Sequence, residues 1–210
     1  MIQQPVRRNY VKINQIMEAI QTSINEEQQY EDLQDYVMAS EAGLRTWLYL
    51  KQFMSLLQVN SLYELEHETI FDLLYWAYVL TMNLHNATLK DPDFFQQYFL
   101  FCKEYVAMHA LYLEKNVHNL GNIRSALAGC YLRQGEVDLC DQLYEQWLKQ
   151  EPDWGWGWIG WSDSYYLFSG KRNKDKKRAQ QILEEGLAVP CVKDRDNMNE
   201  RLQELEQHIV

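Results

Sequence analysis

The sequence EPDWGWGWIGWSDSYY, residues 151–166, decides the fold of this chain. Its tryptophans are Trp154, Trp156, Trp158 and Trp161. All of them except Trp156 share one helix face with Tyr165, because they are spaced by three or four residues. This stripe predicts a helix, with Asp153 as its N-cap, that packs against a preceding helical hairpin. We therefore interpret the stretch as the seam between two repeat units.

The residues on both sides of this seam follow the spacing of tetratricopeptide repeats. The matching positions before the seam are Leu127, Ala128, Tyr131, Gly135, Cys140, Tyr144, Trp147 and Pro152. Small residues allow two helices to approach closely, aromatic residues fill the space between hairpins, and proline ends the second helix. After the seam, Ser162, Ala179 and Gly186 continue the spacing across an enlarged turn that holds the basic run KRNKDKKR, residues 171–178. Asp194 is then expected to cap a closing helix, which would cover the open end of a solenoid.

Residues 1–118 show the apolar periodicity of helices and no alternation long enough for a strand. We expect a first helix from Tyr10, with an apolar stripe that ends at Glu26 and Glu27, and a second short helix after it. The expected starts of the next helices are Ser40, the capping box Ser61–Glu64, and the pair Asp91 and Pro92. The helix that follows the capping box is expected to bend near His67.

These patterns predict an all-α fold of eight to ten helices, arranged as a tetratricopeptide-like α-solenoid of antiparallel helix hairpins. Residues 1–118 would form an N-terminal helical region. Residues 119–210 would form the repeats and a C-terminal capping helix.

The composition limits the classes of partner. The chain has 210 residues and a net charge of −10, whereas a protein that binds duplex DNA normally carries a basic face, so we expect no nucleic-acid partner. The first residues lack the apolar core of a signal peptide, and no apolar run approaches the ~18 residues of a membrane span. We therefore expect no membrane partner and a cytoplasmic location.

No residue pattern of a catalytic or cofactor site stands out. The four cysteines form no CxxC or CxxH pair and the five histidines are scattered, so we predict no metal site. Nucleophile-elbow, zinc-protease, Walker and dinucleotide-binding motifs are absent from the sequence. The sequence therefore predicts a protein that is not an enzyme and needs no cofactor.

The phrase DWGWGWIGWSDxY, with the repeat spacing on both sides of it, resembles the helical-repeat region of a group of bacterial proteins, many of which also carry a SEC-C zinc-binding motif. The resemblance covers the chain from Asn119 to Leu205. It implies the tetratricopeptide-like architecture and no particular activity. The CPCGSG-type cysteine cluster of that group is absent here, so the resemblance implies no metal site.

Two helix faces are candidates for a partner-binding groove. In a tetratricopeptide-type hairpin the first helix lines the concave side. The residues at those positions are Asn122, Ser125, Arg133, Trp156, Ile159, Asp163 and Tyr166. Arg133 offers a bidentate fork to a carboxylate, and Gly129 leaves room beside it. The alternative is that the earlier face is merely solvated and that the tryptophans only pack.

Three functions are compatible with these patterns. The first is a non-enzymatic scaffold or adaptor that holds a segment of a partner protein in a concave helical groove. The second is a sensor of a peptide or a small ligand. The third is a structural protein that forms a homodimer through its N-terminal aromatic helices, which contain Trp47, Tyr49, Phe53 and the run FFQQYFLF from Phe94 to Phe101.

Overall fold

The predicted all-α class is confirmed. The computed structural model describes residues 4–65, 68–110, 117–170 and 173–207, and these residues form nine α-helices, one turn of 3₁₀ helix and no strand. The helices are α1 (Gln4–Asp32), α2 (Tyr36–Leu57), α3 (Leu73–Lys90), α4 (Phe94–His109), α5 (Val117–Gln134), α6 (Val137–Gln150), α7 (Gly155–Tyr166), α8 (Lys176–Leu187) and α9 (Arg195–Gln207). The chain divides into two compact units, Met1–Ile123 and Arg124–Val210, whereas the sequence predicted a boundary after residue 118.

In the first unit α1 packs against α2, α2 against α3, and α3 against α4. The interior is aromatic: Trp47 stacks on Trp76 with ring centroids 6.5 Å apart and meets Phe101 edge-on at 5.3 Å. Trp47 and Phe101 are 3% and 2% exposed. Such pairs add stability beyond the area they bury.

This packing changes the interpretation of the N-terminal aromatic residues. Phe53, Phe94 and Tyr98 are also buried within the unit. These rings therefore serve the core of the unit, and the homodimer through the N-terminal aromatic helices stays a prediction.

Several helix boundaries in the first unit differ from those predicted. Helix α1 runs without a break through Glu26 and Glu27, because Glu27 lies on its buried face. Helix α2 begins earlier than Ser40, since Asp35 is the N-cap and its side chain accepts a hydrogen bond from the amide of Met38 at 3.2 Å. Ser40 is buried within that helix.

Ser61 and Glu64, predicted as a capping box that opens a helix, instead cap only the short 3₁₀ turn Leu62–Leu65, through the amides of Tyr63 and Asn60. The amide of Tyr63 donates to Ser61 Oγ, and the amide of Asn60 donates to Glu64 Oε1, each at 3.0 Å. The helix predicted to follow it begins anew at Leu73, with Asp72 as its N-cap. His67, where a bend was expected, lies outside the described residues.

Helix α4 begins at Phe94, two residues later than Pro92. The Asp91 side chain caps the turn before it, accepting from the amide of Asp93 at 3.0 Å.

In the second unit α7 packs against α6, α8 and α9. Trp161 lies parallel to Tyr144 of α6 with centroids 6.4 Å apart, and Trp154 meets Trp147 edge-on at 6.4 Å. These contacts confirm that both tryptophans pack against the preceding helix. The N-cap of α7 is Trp154 and not Asp153.

A buried arginine sits beside this aromatic seam. Arg124 is 2% exposed, and its Nη1 donates to Glu151 Oε1 at 2.8 Å. Its guanidinium carbon lies 5.4 and 5.5 Å from the ring centroids of Trp147 and Trp154. The tryptophan rings therefore enclose a charge as well as packing the helices.

Two helical glycines of the second unit make a matched pair for a stability test. A Cβ at Gly186 would lie 2.5 Å from Trp158 Cγ and 2.7 Å from Met198 Cε, whereas a Cβ at Gly129 would meet no heavy atom within 4 Å. We expect Gly186→Ala to lower the free energy of unfolding by about 1–3 kcal/mol through overpacking. Gly129→Ala should raise it by up to about 1 kcal/mol, because alanine favours the helix.

Urea denaturation followed by circular dichroism measures both changes. A Gly186→Ala variant as stable as the Gly129→Ala variant would contradict the close contact between α7 and α8.

Candidate functional site

The sequence-predicted groove residues fall in different environments. On α5, Asn122 belongs to the first unit and is half-buried, and Ser125 in the second unit is half-buried and hydrogen-bonds Tyr144. Arg133 is exposed.

The predicted face of α7 is largely covered. Trp156 is 42% exposed, and Tyr166 is half-buried with Lys174 Nζ and Lys176 Nζ 5.5 and 5.1 Å from its ring centroid. Ile159 and Asp163, in contrast, are 3% and 6% exposed.

Helix α9 covers these two residues. Ile159 belongs to a buried cluster with Met198 and Leu205 of α9, and Arg201 Nε lies 3.1 Å from Asp163 Oδ1. Burial raises the pKa of Asp163 to about 6, although the charge of Arg201 lowers it. The expectation that Ile159 and Asp163 face an open groove is therefore wrong: the closing helix lies along this face of α7.

A cavity of about 650 Å³, which sequence reasoning missed, opens in the first unit between α1 and α3. We call it the Glu27 cavity. Its described lining residues are Ile24, Glu27, Gln28, Glu31, Asp32, Gln34, Tyr36, Phe71, Asp72, Tyr75, Trp76, Tyr78, Val79, Met82, Asn83 and Asn86. They combine carboxylates, amides and aromatic rings, which can orient a ligand through a few polar groups between apolar walls.

The carboxyl group of Glu27 is held at the buried side of this cavity. Glu27 is 2% exposed, Trp76 Nε1 donates to its Oε2 at 2.7 Å, and Asn83 Nδ2 donates to its Oε1 at 3.1 Å. Burial raises the pKa of Glu27 to about 7, the two hydrogen bonds lower it and the charge of Glu31 raises it. The group therefore changes protonation close to neutral pH.

The helix periodicity explains why a glutamate occupies this place. Ile16, Ile20, Ser23 and Glu27 are spaced by three or four residues and are all buried, so they share the inner face of α1. Gly43 of α2 makes room for the carboxyl group, because a Cβ there would lie 2.7 Å from Glu27 Oε1. The sequence signal was present: the stripe of α1 continues into Glu27 at regular spacing.

The rim of the Glu27 cavity is acidic and aromatic. Burial raises the pKa of Glu31, and the neighbouring charge of Asp32 raises it further. Lys90 Nζ lies 5.1 Å from the ring centroid of Tyr36 and donates to the carbonyl of Gln34 at 2.8 Å. An ammonium group of the chain itself thus already occupies the edge of the cavity.

Neither metal-binding clusters nor bilayer-crossing helices occur in the described part of the chain. There, no three histidine, cysteine, aspartate or glutamate side chains lie close enough together to hold a metal ion. Buried His109 has a structural role, since the amide of Leu62 donates to its Nε2 at 3.3 Å. None of the described helices combines the length and apolar character that crossing a bilayer requires.

Comparisons with protein-family models, with curated proteins and with solved structures found no match. The resemblance of residues Asn119 to Leu205 to repeat proteins of the SEC-C-associated group therefore stays a prediction.

The raised pKa of Glu27 predicts a pH-dependent stability. Because its pKa is higher in the folded chain than the ordinary value of 4.5, the folded state binds more protons between pH 4.5 and about 7, and unfolding becomes easier as the pH rises through this range. The shift corresponds to ~3 kcal/mol. Glu27→Gln should abolish this contribution. The free energy of unfolding of the variant, minus that of the parent, should therefore increase by that amount as the pH rises from 4.5 to 8.

Urea denaturation of both proteins at several pH values measures the difference. The change from Glu26 to glutamine is a matched control, because Glu26 forms a partly exposed ion pair with Arg45 at 2.6 Å and does not line the cavity. A pH-independent difference between Glu27→Gln and the parent would contradict the raised pKa.

Proposed function

We propose that this chain is a non-enzymatic protein-interaction module that holds a segment of a partner protein, with a side chain of that segment inserted in the Glu27 cavity. The observation that carries the proposal is the cavity itself, with a buried carboxyl group and five aromatic side chains among its described lining residues. Its volume lies within the range of roughly 300–1,000 Å³ that is typical of ligand sites.

The lining supports binding of a side chain by shape and polarity together. Tyrosine and tryptophan provide large contact areas at small cost in conformational entropy, and they dominate the binding energy of many protein interfaces. Tyr75 is 56% exposed and Met82 is 45% exposed, so apolar surface continues from the cavity to the outside of α3. A peptide segment could therefore contact α3 on either side of an inserted side chain.

The chemistry of the lining supports binding more than catalysis. Glu27 has a pKa suited to proton transfer, but the described lining residues include no serine, cysteine, histidine or lysine that it could activate. The hydrogen bonds from Trp76 and Asn83 hold the carboxyl group in place, as expected for a recognition group.

A cavity-filling substitution tests this function. Asn86 lines the cavity and is half-buried, so Asn86→Trp should block it, whereas Leu89→Trp adds the same ring at a position of the same helix that is 71% exposed and outside the lining. We expect the parent protein and Leu89→Trp to enrich the same peptides from a displayed random-peptide library. Asn86→Trp should lose that enrichment.

The readout is the sequence count of each peptide after selection, with circular dichroism to show that both variants are folded. Equal enrichment by Asn86→Trp and the parent protein, or no enrichment by either, would contradict binding of a segment in the Glu27 cavity.

A further inference from the structure

The described charged side chains that line the Glu27 cavity are all acidic, and Lys90 lies at its edge outside the lining. Glu27, Glu31, Asp32 and Asp72 line it, and the described lining residues include no lysine, arginine or histidine. Burial raises the pKa of Glu31, and repulsion by the neighbouring charge of Asp32 raises it further. A cationic ligand would relieve this repulsion.

The walls add a second preference for a cation. The aromatic lining residues are Tyr36, Phe71, Tyr75, Trp76 and Tyr78. The faces of such rings are electron-rich and attract ammonium groups, while their apolar area accommodates an alkyl chain. Acidic groups and aromatic faces together match a group with a charged head and an apolar stem.

The carboxyl group of Glu27 has acceptor capacity left, and Glu27 is among the residues that line the cavity. A carboxylate can accept about four hydrogen bonds, and Glu27 receives two, both from uncharged donors. No ion pair among the described residues includes Glu27, although those residues contain ion pairs elsewhere, such as Arg201 with Asp163. A buried carboxylate with no charged partner is strongly stabilised by an incoming cation.

The chain shows how an ammonium group lies at this cavity. Lys90 Nζ lies over the ring of Tyr36, a wall residue, and donates to the carbonyl of Gln34, another lining residue. These contacts combine a ring face with an oxygen acceptor. Deeper in the cavity, Trp76 and Glu27 also bring a ring and an oxygen acceptor together, and Glu27 carries a negative charge above its pKa of about 7.

The geometry favours an ammonium over a guanidinium group. Each carboxyl oxygen of Glu27 already accepts one hydrogen bond, from Trp76 or from Asn83. The planar fork of arginine would have to share both oxygens with these donors, whereas the compact ammonium group of lysine needs only one.

We infer that the Glu27 cavity binds the ammonium group of a lysine side chain from a partner segment, with Glu27 as its charge partner and the aromatic walls around its alkyl chain. The inference rests on the proposed function and specifies the side chain that enters the cavity.

The test uses the full chain and short probe peptides. The peptides are acetyl-Gly-Lys-Gly-amide, its arginine counterpart, and its norleucine counterpart, which keeps the alkyl chain and lacks the charge; butylammonium is the free-amine probe. Binding is followed by titration of the indole N–H resonance of Trp76, assigned by its loss in Trp76→Phe. The lysine peptide should shift this resonance saturably and bind at least tenfold more tightly than the norleucine and arginine peptides.

Two charge variants separate Glu27 from the surface charge. Glu27→Gln should weaken binding of the lysine peptide at least tenfold, while Glu26→Gln, one residue away and outside the cavity, should bind as the parent does. Since ammonium binding needs the ionised carboxyl group, affinity should also fall about tenfold from pH 8 to pH 6. The other charged groups of the lining, Glu31, Asp32 and Asp72, remain in Glu27→Gln. If Glu27 causes the pH dependence of the affinity, this variant should lose it although those groups are still present.

The outcomes distinguish this inference from the proposed function. A norleucine peptide that binds as tightly as the lysine peptide would overturn the ammonium site and leave binding of a segment intact. Equal affinity for butylammonium and the lysine peptide would support the ammonium site and overturn the assignment to a partner segment. If the display experiment enriches no peptide, the proposed function fails independently of these titrations.

Discussion

Burial of the Glu27 carboxyl group is the constraint on which the first unit depends. The group lies on the inner face of α1, close to Gly43 of α2, and receives hydrogen bonds from Trp76 and Asn83 of α3. A carboxyl group removed from water is costly unless it is hydrogen-bonded or protonated. The helices α1, α2 and α3 must therefore keep fixed positions relative to one another around this carboxyl group. The same arrangement leaves the cavity open between α1 and α3.

The two units treat their buried charges differently. In the second unit, Arg124 pairs with Glu151 between two tryptophan rings, and Asp163 pairs with Arg201 of α9. Each of these charges has an opposite charge within the unit, so burial is compensated internally and the side chains serve the architecture. Among the described residues Glu27 accepts hydrogen bonds only from neutral donors. The cost of burying its negative charge is therefore not fully offset within the chain. This contrast is why the binding site that we propose lies in the first unit and not in the tryptophan-rich stretch.

The periodicity of the sequence predicted the helical class well, and it predicted the packing of Trp154 and Trp161. It was less successful at helix ends and at the site. Asp35 and Asp72 cap α2 and α3 although other starts were predicted, and Asp153, the predicted cap of α7, pairs with Lys193 at 2.9 Å. The face of α7 was judged open because its spacing marks the concave side of a repeat, but spacing within α7 contains no information on where α9 packs.

The sequence by itself determined the all-α class and some of the inward-facing residues, such as Trp161 of α7, because apolar spacing along a helix is a local property. Glu27 falls at the regular spacing of the α1 stripe, but the sequence predicted that the stripe ends there, because a glutamate is normally exposed to solvent. Only the tertiary structure decided that this glutamate is enclosed, that the ring of Trp76 and the amide of Asn83 reach it, and that acidic and aromatic side chains distant in sequence line one cavity. The physical reason is that the environment and the pKa of a carboxyl group depend on neighbours that other helices supply.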